Sequence, residues 1–317
     1  MSFSGMVKEE LSRQTSTARH CRIAETAALL SACGRITKDG SLRFQTENDA
    51  VVRKYFTLLQ KTFNIDTEIA IRESGLLKKG NVYHIEITDP LQVQTVLQGT
   101  KLSVNEADRG TLLPENGLIT QQNCCKRAFI RGAFLASGSI SDPEKGYHFE
   151  IVCATVHKAV QLQEIMNDFG VDAKIVQRKK HFVVYLKEGS QIVDMLNVMG
   201  AHVSLMELEN VRILKEMRNS VNRKVNCETA NIHKTVSAAV RQIEDIRYIQ
   251  QKIGFEQLSE GLAEIARLRL EQPEATLKEL GMMLSTPVGK SGVNHRLRKL
   301  SDIAETLRDN EEENYYD

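Results

Sequence analysis

Residues 290–300, KSGVNHRLRKL, carry side chains that recognise nucleic acid at the spacing of a short helix. Asn pairs with adenine through two hydrogen bonds and Arg pairs with guanine, so Asn294, His295, Arg296, Arg298 and Lys299 are candidates for base or backbone contact. Lys290 and Ser291, at the start of the helix, suit phosphate. Val293, Leu297 and Leu300 are apolar at helical spacing, which predicts one packed face and one open face. A solvated amphipathic helix in a bundle would look similar, but the preceding segment favours DNA. Thr276 and Glu279 have the form of a capping box, followed by Leu277, Leu280 and Leu284 on one face. Pro287 then breaks the chain in a short turn. From Thr276 to Arg308 there are six basic residues against three acidic ones, concentrated in the second helix, as expected of a helix-turn-helix reader.

A second basic stretch lies at 218–226, where Arg218, Arg223 and Lys224 alternate with Asn219, Asn222 and Asn226. It could follow a phosphate backbone or form a solvated helix face and loop, and the residues support both. The net charge of +1 over 317 residues says nothing about nucleic acid; the distribution of charge does. The six cysteines, Cys21, Cys33, Cys124, Cys125, Cys153 and Cys227, form no CxxC and have no histidine at zinc-ligand spacing. They read as reduced, mostly buried thiols, with the adjacent pair Cys124 and Cys125 a weak redox candidate, and no metal or cofactor is expected. Apolar runs such as 27–30 and 181–186 fall far short of the roughly 20 residues that cross a bilayer. The N-terminus lacks an apolar signal core, so the expected location is cytoplasmic.

The elements that position these groups follow from an internal repeat. FNIDTEI at 63–69 recurs as FGVDAKI at 169–175, and the match continues to Arg72 and Arg178. Upstream, 27–36 recurs as 132–140, with Gly34 in register with Gly138 and Ile36 with Ile140. Ala28 and Ala32 in the first copy, and Gly132 and Ala136 in the second, give each repeat helix a stripe of small residues, so two such helices can pack closely. The halves, about 21–100 and 121–200, share strands at 41–46, 67–72 and 82–88 and at 147–153, 173–178 and 181–186. Their helices include 48–63 and 155–169. The prediction is a pseudo-twofold α+β domain over 21–200 with αββαββα-type halves, preceded within 1–20 by a helix near 6–14. Arg72, Lys78, Lys79, Arg178, Lys179 and Lys180 sit at corresponding strand ends, where they line either a DNA-facing saddle or a solvated hairpin.

Beyond Gly200 the pattern becomes purely helical. A connector at 201–255 is predicted as two helices, 204–218 and 228–252, joined by the polar stretch 218–226. An all-α helix-turn-helix domain at 256–308 follows, with helices at 258–271, 276–284 and 292–307, and then a disordered acidic tail at 309–317.

The repeat helices resemble, twice over, the LAGLIDADG motif of homing endonucleases. In that family an acid precedes the terminal glycine, and the two acids hold a divalent metal for phosphodiester hydrolysis. Here Cys33 and Ser137 stand at those positions, and neither is a hard anionic ligand at neutral pH. Together with 218–231, RNSVNRKVNCETAN, and the terminal SGVNHRLRKL, the whole chain resembles the bacterial WhiA family. The resemblance implies a sequence-specific DNA-binding transcription regulator of sporulation, cell division or chromosome segregation, associated with the nucleoid and with a catalytically dead endonuclease-like domain. Double-stranded DNA is the implied partner, with a second transcription regulator or RNA polymerase as a further one, and no membrane; the oligomeric state stays open. A chromosome-associated scaffold, and less readily a metal-dependent nuclease, are the competing expectations.

Overall fold

The repeat organises the first two thirds of the chain. The structure, a computed structural model, describes residues 2–73, 81–105, 110–115 and 117–316, without the side chains of 73 and 311–316. It divides into two units, residues 1–216 and 217–317. In the first unit α1 (Phe3–Arg13) starts at Ser2, whose hydroxyl accepts from the Gly5 amide at 3.1 Å. The first half then runs α2 (Arg19–Cys33), β1 (Gly34–Ile36), β2 (Leu42–Thr46), α3 (Asp49–Phe63), β3 (Ile69–Glu73), β4 (Asn81–Ile87) and α4 (Pro90–Thr100). The hairpin β5 (Leu102–Asn105) and β6 (Thr111–Pro114) follows. The second half repeats the order as α5 (Asn123–Ser137), β7 (Gly138–Ile140), β8 (Phe149–Cys153), α6 (Val156–Asn167), β9 (Lys174–Arg178), β10 (His181–Leu186) and α7 (Gly189–Met199). Both halves are therefore αββαββα units.

Each repeat helix ends at its glycine and passes directly into a strand, so helix and sheet are joined without a loop. Sequence alternation fixes the pairing. In β2, Leu42 and Phe44 are buried while Arg43 and Gln45 are not, and Leu42 pairs with Ile87 and Phe44 with Ile85 across β4. The second sheet has the order β7-β8-β10-β9, all antiparallel neighbours, with Phe149 opposite Leu186 and Ile151 opposite Val184. The first sheet departs from this symmetry, with the order β3-β4-β2-β1-β6-β5. The β5–β6 hairpin, which lies in the stretch read as a link between halves, pairs through Thr111 with Arg35 of β1. Alternation across only four residues in each strand carries too little pattern to be read as structure.

α2 and α5 lie side by side at the centre of the unit. Gly132 allows this: a Cβ there would come within 2.6 Å of the Glu25 carbonyl oxygen and 2.9 Å of the Ala28 Cβ. Leu29, Leu30, Phe134 and Leu135, all fully buried, extend that seam into a core shared with Phe44, Tyr55 and Phe149 of the two sheets and the helices covering them.

The second unit contains the C-terminal part of α8 (His202–Lys252), a 3-10 turn at Phe255–Gln257, α9 (Glu260–Glu271), α10 (Leu277–Met283) and α11 (Lys290–Tyr316). Its core gathers Ile246, Ile249, Ile265, Leu280, Leu284, Val293, Leu297 and Leu300. Two expectations fail here. The helices at 204–218 and 228–252 are one continuous 51-residue helix, because 218–226 contains neither Gly nor Pro and Asn costs a helix only about 0.7 kcal/mol relative to Ala. The helix predicted to end at 307 runs on through the acidic stretch: α11 continues to Tyr316, since nothing between Leu307 and Glu313 breaks a helix.

Candidate nucleic-acid interface

α10 and α11 are set by local chemistry before they pack. The Thr276 hydroxyl accepts from the Glu279 amide at 3.3 Å and the Glu279 carboxylate accepts from the Thr276 amide at 2.7 Å, the reciprocal bonds of a capping box. Those bonds hold the exposed Glu279 carboxyl below its ordinary value. The Glu264 carboxylate of α9 accepts from the Ser285 amide at 2.5 Å, fixing the start of the turn. Gly281 allows the turn to fold back, because its carbonyl accepts from the Val288 amide at 3.0 Å and a Cβ at 281 would lie 2.2 Å from the Val288 carbonyl oxygen. Gly281→Ala is expected to destabilise this unit by about 1–3 kcal/mol, the usual range for overpacking. Thermal unfolding by circular dichroism checks it, and an unchanged melting curve would mean that the turn has room to open.

Successive residues of α11 advance by about 100° around its axis. Lys290, Ser291, Asn294, His295, Arg298 and Lys299 consequently fall on one arc, and all are exposed. Val293, Leu297 and Leu300 fall on the other side and are buried. Arg296 is set apart from the arc: it lies on the flank toward α9, half-buried, with Nη1 3.5 Å from the Gly261 carbonyl oxygen. Asn294 and Arg298 also line a groove of about 550 Å³ whose other wall is α8, with His233, Lys234, Arg241 and Gln242. A neighbouring groove of about 530 Å³ shares Lys234, Gln242 and Asn294 and adds Lys278 and Lys290. Among the described residues lining the two grooves none is acidic. The sequence reading missed His233, Lys234 and Arg241. Their signal was Lys234 and Arg241 seven residues apart, on one face of a helix that turns out not to be interrupted.

The other predicted contacts disperse. Arg218, Asn222, Arg223 and Lys224 are all exposed on α8. Arg218 and Asn222 share a face, but Arg223 and Lys224 lie roughly 140° and 240° further around than Arg218. Arg223 instead turns back to donate to the Asn219 carbonyl at 3.3 Å. In the first unit, Arg72, Arg178, Lys179 and Lys180 are exposed, while Lys78 and Lys79 lie outside the described residues. Arg178 is paired with Glu150 at 2.9 Å and Arg43 with Glu86 at 2.9 Å, so part of the basic charge on these sheets is already neutralised.

At the C-terminal ends of the repeat helices the chemistry is that of a thiol and an alcohol. The Ser137 hydroxyl donates to the Val152 carbonyl at 2.8 Å. Burial pushes the Cys33 thiol up to about 11, against the opposing pull of Lys8 and Lys158, so it stays neutral. The Lys158 ammonium donates to the Ser31 carbonyl at 2.5 Å. Lys8, itself held below its ordinary value by burial, and Lys158 are the charged groups that act on this thiol, and both are cationic side chains rather than the hard anions a divalent cation takes. The opposite ends of the same helices hold a surprise: the fold brings His20, Cys21, Cys124 and Cys125 together, with their donor atoms all within 4.8 Å of one another. The expectation that no metal-ligand set exists rested on spacing along one segment. Here the ligand pairs come from two helices 104 residues apart in register.

Comparison with known proteins agrees with the geometry. Family models match in series: the WhiA N-terminal LAGLIDADG-like domain over residues 19–103, the WhiA LAGLIDADG-like domain over 126–218 and the WhiA C-terminal HTH domain over 221–304. The chain is 60% identical over 312 residues to the protein named "Probable cell division protein WhiA" of Lachnoclostridium phytofermentans, covering 97% of this chain and 100% of that one. It is 49% identical to the protein of the same name from Clostridium novyi, covering 97% of this chain and 99% of that one. The crystal structure of full-length DUF199/WhiA from Thermatoga maritima superposes with a TM-score of 0.60 at 25% identity, covering 96% of this chain and 99% of that chain. With duplicated αββαββα halves, repeat helices that carry Cys33 and Ser137 in place of a terminal acid, and a basic terminal helix-turn-helix all in order along its length, the chain belongs to the WhiA family.

Proposed function

We propose that this protein is a sequence-specific DNA-binding transcription regulator acting in cell division, and by the same family likeness in sporulation or chromosome segregation. The observation that carries the reading is the exposed arc of Lys290, Ser291, Asn294, His295, Arg298 and Lys299, backed by the buried face of Val293, Leu297 and Leu300. The basic walls contributed by Lys234, Arg241 and Lys278 extend the charged surface available to phosphates. Double-stranded DNA is the partner, with RNA polymerase or a second regulator recruited alongside it. The endonuclease-like domain serves as a platform without catalysis. Cys33 and Ser137 offer no hard anion, and their protons are held by burial and by a strand carbonyl.

The test is fluorescence anisotropy on DNA fragments selected from the genome for binding. Arg298→Ala and Asn294→Ala are each expected to lose about 1–3 kcal/mol per base contact on the preferred fragment and much less on random DNA of equal length. Equal losses on both would mean that α11 holds phosphates without reading bases, and the scaffold reading would take over.

A further inference from the structure

His20 and Cys21 occupy the first turn of α2, and Cys124 and Cys125 occupy the matching positions in the first turn of α5. The packing of Gly132 against α2 aligns the two helices, and their N-terminal ends converge. The His20 Nδ1 lies 3.1 Å from the Cys125 Sγ, 3.4 Å from the Cys21 Sγ and 3.9 Å from the Cys124 Sγ. A tetrahedral zinc ion with Zn–S near 2.3 Å and Zn–N near 2.0–2.1 Å separates its nitrogen and sulfur ligands by about 3.5 Å and its sulfurs by about 3.8 Å. The three nitrogen–sulfur distances bracket the tetrahedral value, and all four donor atoms lie within 4.8 Å of one another, within reach of a tetrahedral shell by side-chain adjustment. We propose that His20, Cys21, Cys124 and Cys125 form a structural Zn²⁺ site that clamps the two halves of the endonuclease-like domain together at the end remote from Cys33 and Ser137.

The chemistry around the cluster favours this occupant. Cys21 and Cys125 are buried against Ala24 and Ala128, while His20 and Cys124 are exposed and provide the entry path. Soft thiolates with one imidazole select a thiophilic tetrahedral ion over Mg²⁺ or Ca²⁺, which take oxygen. Burial of Cys21 and Cys125 penalises a free thiolate at either position. A divalent cation reverses that penalty, because coordination deprotonates the thiols outright. Three thiolates, one neutral imidazole and Zn²⁺ carry a net charge of −1, which two helix N-termini stabilise. Neither Ala18 nor Gln122, the N-caps of these helices, supplies a side-chain cap, in contrast to Asn48, Asp89 and Thr155 in the same unit. Four protein ligands leave no open coordination position, so the site is structural and not hydrolytic.

The test uses the full chain, purified in a thiol-free reductant without chelator, passed through gel filtration and assayed for metal by mass spectrometry. One zinc per chain is expected. Titration of the metal-free chain with Co²⁺ is expected to give the intense visible bands of tetrahedral cobalt together with thiolate charge transfer. His20→Ala and Cys124→Ser alter exposed residues that the core does not need. Each is expected to weaken zinc binding, measured by chelator competition, by more than about 100-fold, beyond what loss of an outer-shell contact costs. Cys227→Ser, on the exposed surface of α8, is expected to leave zinc content unchanged. Zinc that washes off below stoichiometry, an octahedral cobalt spectrum, equal loss in Cys227→Ser, or a disulfide among these cysteines in the reduced chain would each overturn the site.

Discussion

Glu25→Ala lowers the stability of the first unit by about 3–5 kcal/mol, the cost of stranding buried cations without their anion. Glu25 is fully buried in α2, and its carboxylate meets the Lys54 ammonium of α3 at 3.0 Å and the Arg131 Nε of α5 at 2.9 Å. The remaining donors are also used. Arg131 reaches the Met199 carbonyl at 3.1 Å and the Ser16 hydroxyl at 3.2 Å, and Lys54 donates to the Gln14 carbonyl. One carboxylate therefore joins α2, α3, α5, the end of α7 and the segment after α1. Without it, two positive charges remain in a site from which water is excluded. Burial already holds Lys54 below its ordinary 10.5, with Glu25 opposing that shift. The folded variant therefore gives up this proton at a lower pH than the unfolded chain does. Its deficit is present in full below the lowered folded-state value and shrinks as pH rises from there toward 10.5. Urea denaturation across pH reads both effects. The idea fails if Glu25→Ala unfolds with the wild-type midpoint, or if replacing Glu25, Lys54 and Arg131 together by Met is no better tolerated than the single change.

Gly132→Val is expected to cost about 3 kcal/mol, at the upper end for overpacking. An Ala at a helix interior gains about 1 kcal/mol over Gly from propensity alone. At 132 that gain is opposed by the Glu25 carbonyl oxygen, 2.6 Å from where the Cβ would stand. Valine adds two branches at the same point, and the obstacle is backbone, which cannot rotate away. Relief requires α2 and α5 to separate, which loosens the Glu25–Arg131 contact and the cysteine cluster at once. Chemical denaturation reads the loss, and a variant as stable as wild type would show slack between the helices.

The halves were legible because a duplication repeats its punctuation: Gly34 and Gly138 close two helices and open two strands in register. The buried face of α11 was legible from the spacing of Val293, Leu297 and Leu300. Arg296 was placed with the readers by residue type, although its angle around the helix already assigns it to the packed flank. The continuous α8 was hidden by the weight given to Asn219, Asn222 and Asn226, which are poor but tolerated helix residues. The cluster of His20, Cys21, Cys124 and Cys125 was invisible for a different reason. No local spacing encodes it, and only the alignment of two repeat helices in space brings its donors together.

The position of the buried ion pair within the duplication has a further meaning. In the register that equates Gly34 with Gly138, the counterpart of Glu25 is Phe129 and that of Arg131 is Ala27. The acid belongs to one half alone and the guanidinium to the other. Two first halves brought together would place Ala27 where Arg131 should be and leave each Glu25 without its guanidinium, and two second halves would place Phe129 where Glu25 should be and bury Arg131 facing no carboxylate. A chain whose halves are alike thus carries a rule of mating by unlike kind: each first half takes a second half, and the pairing of two like halves is penalised.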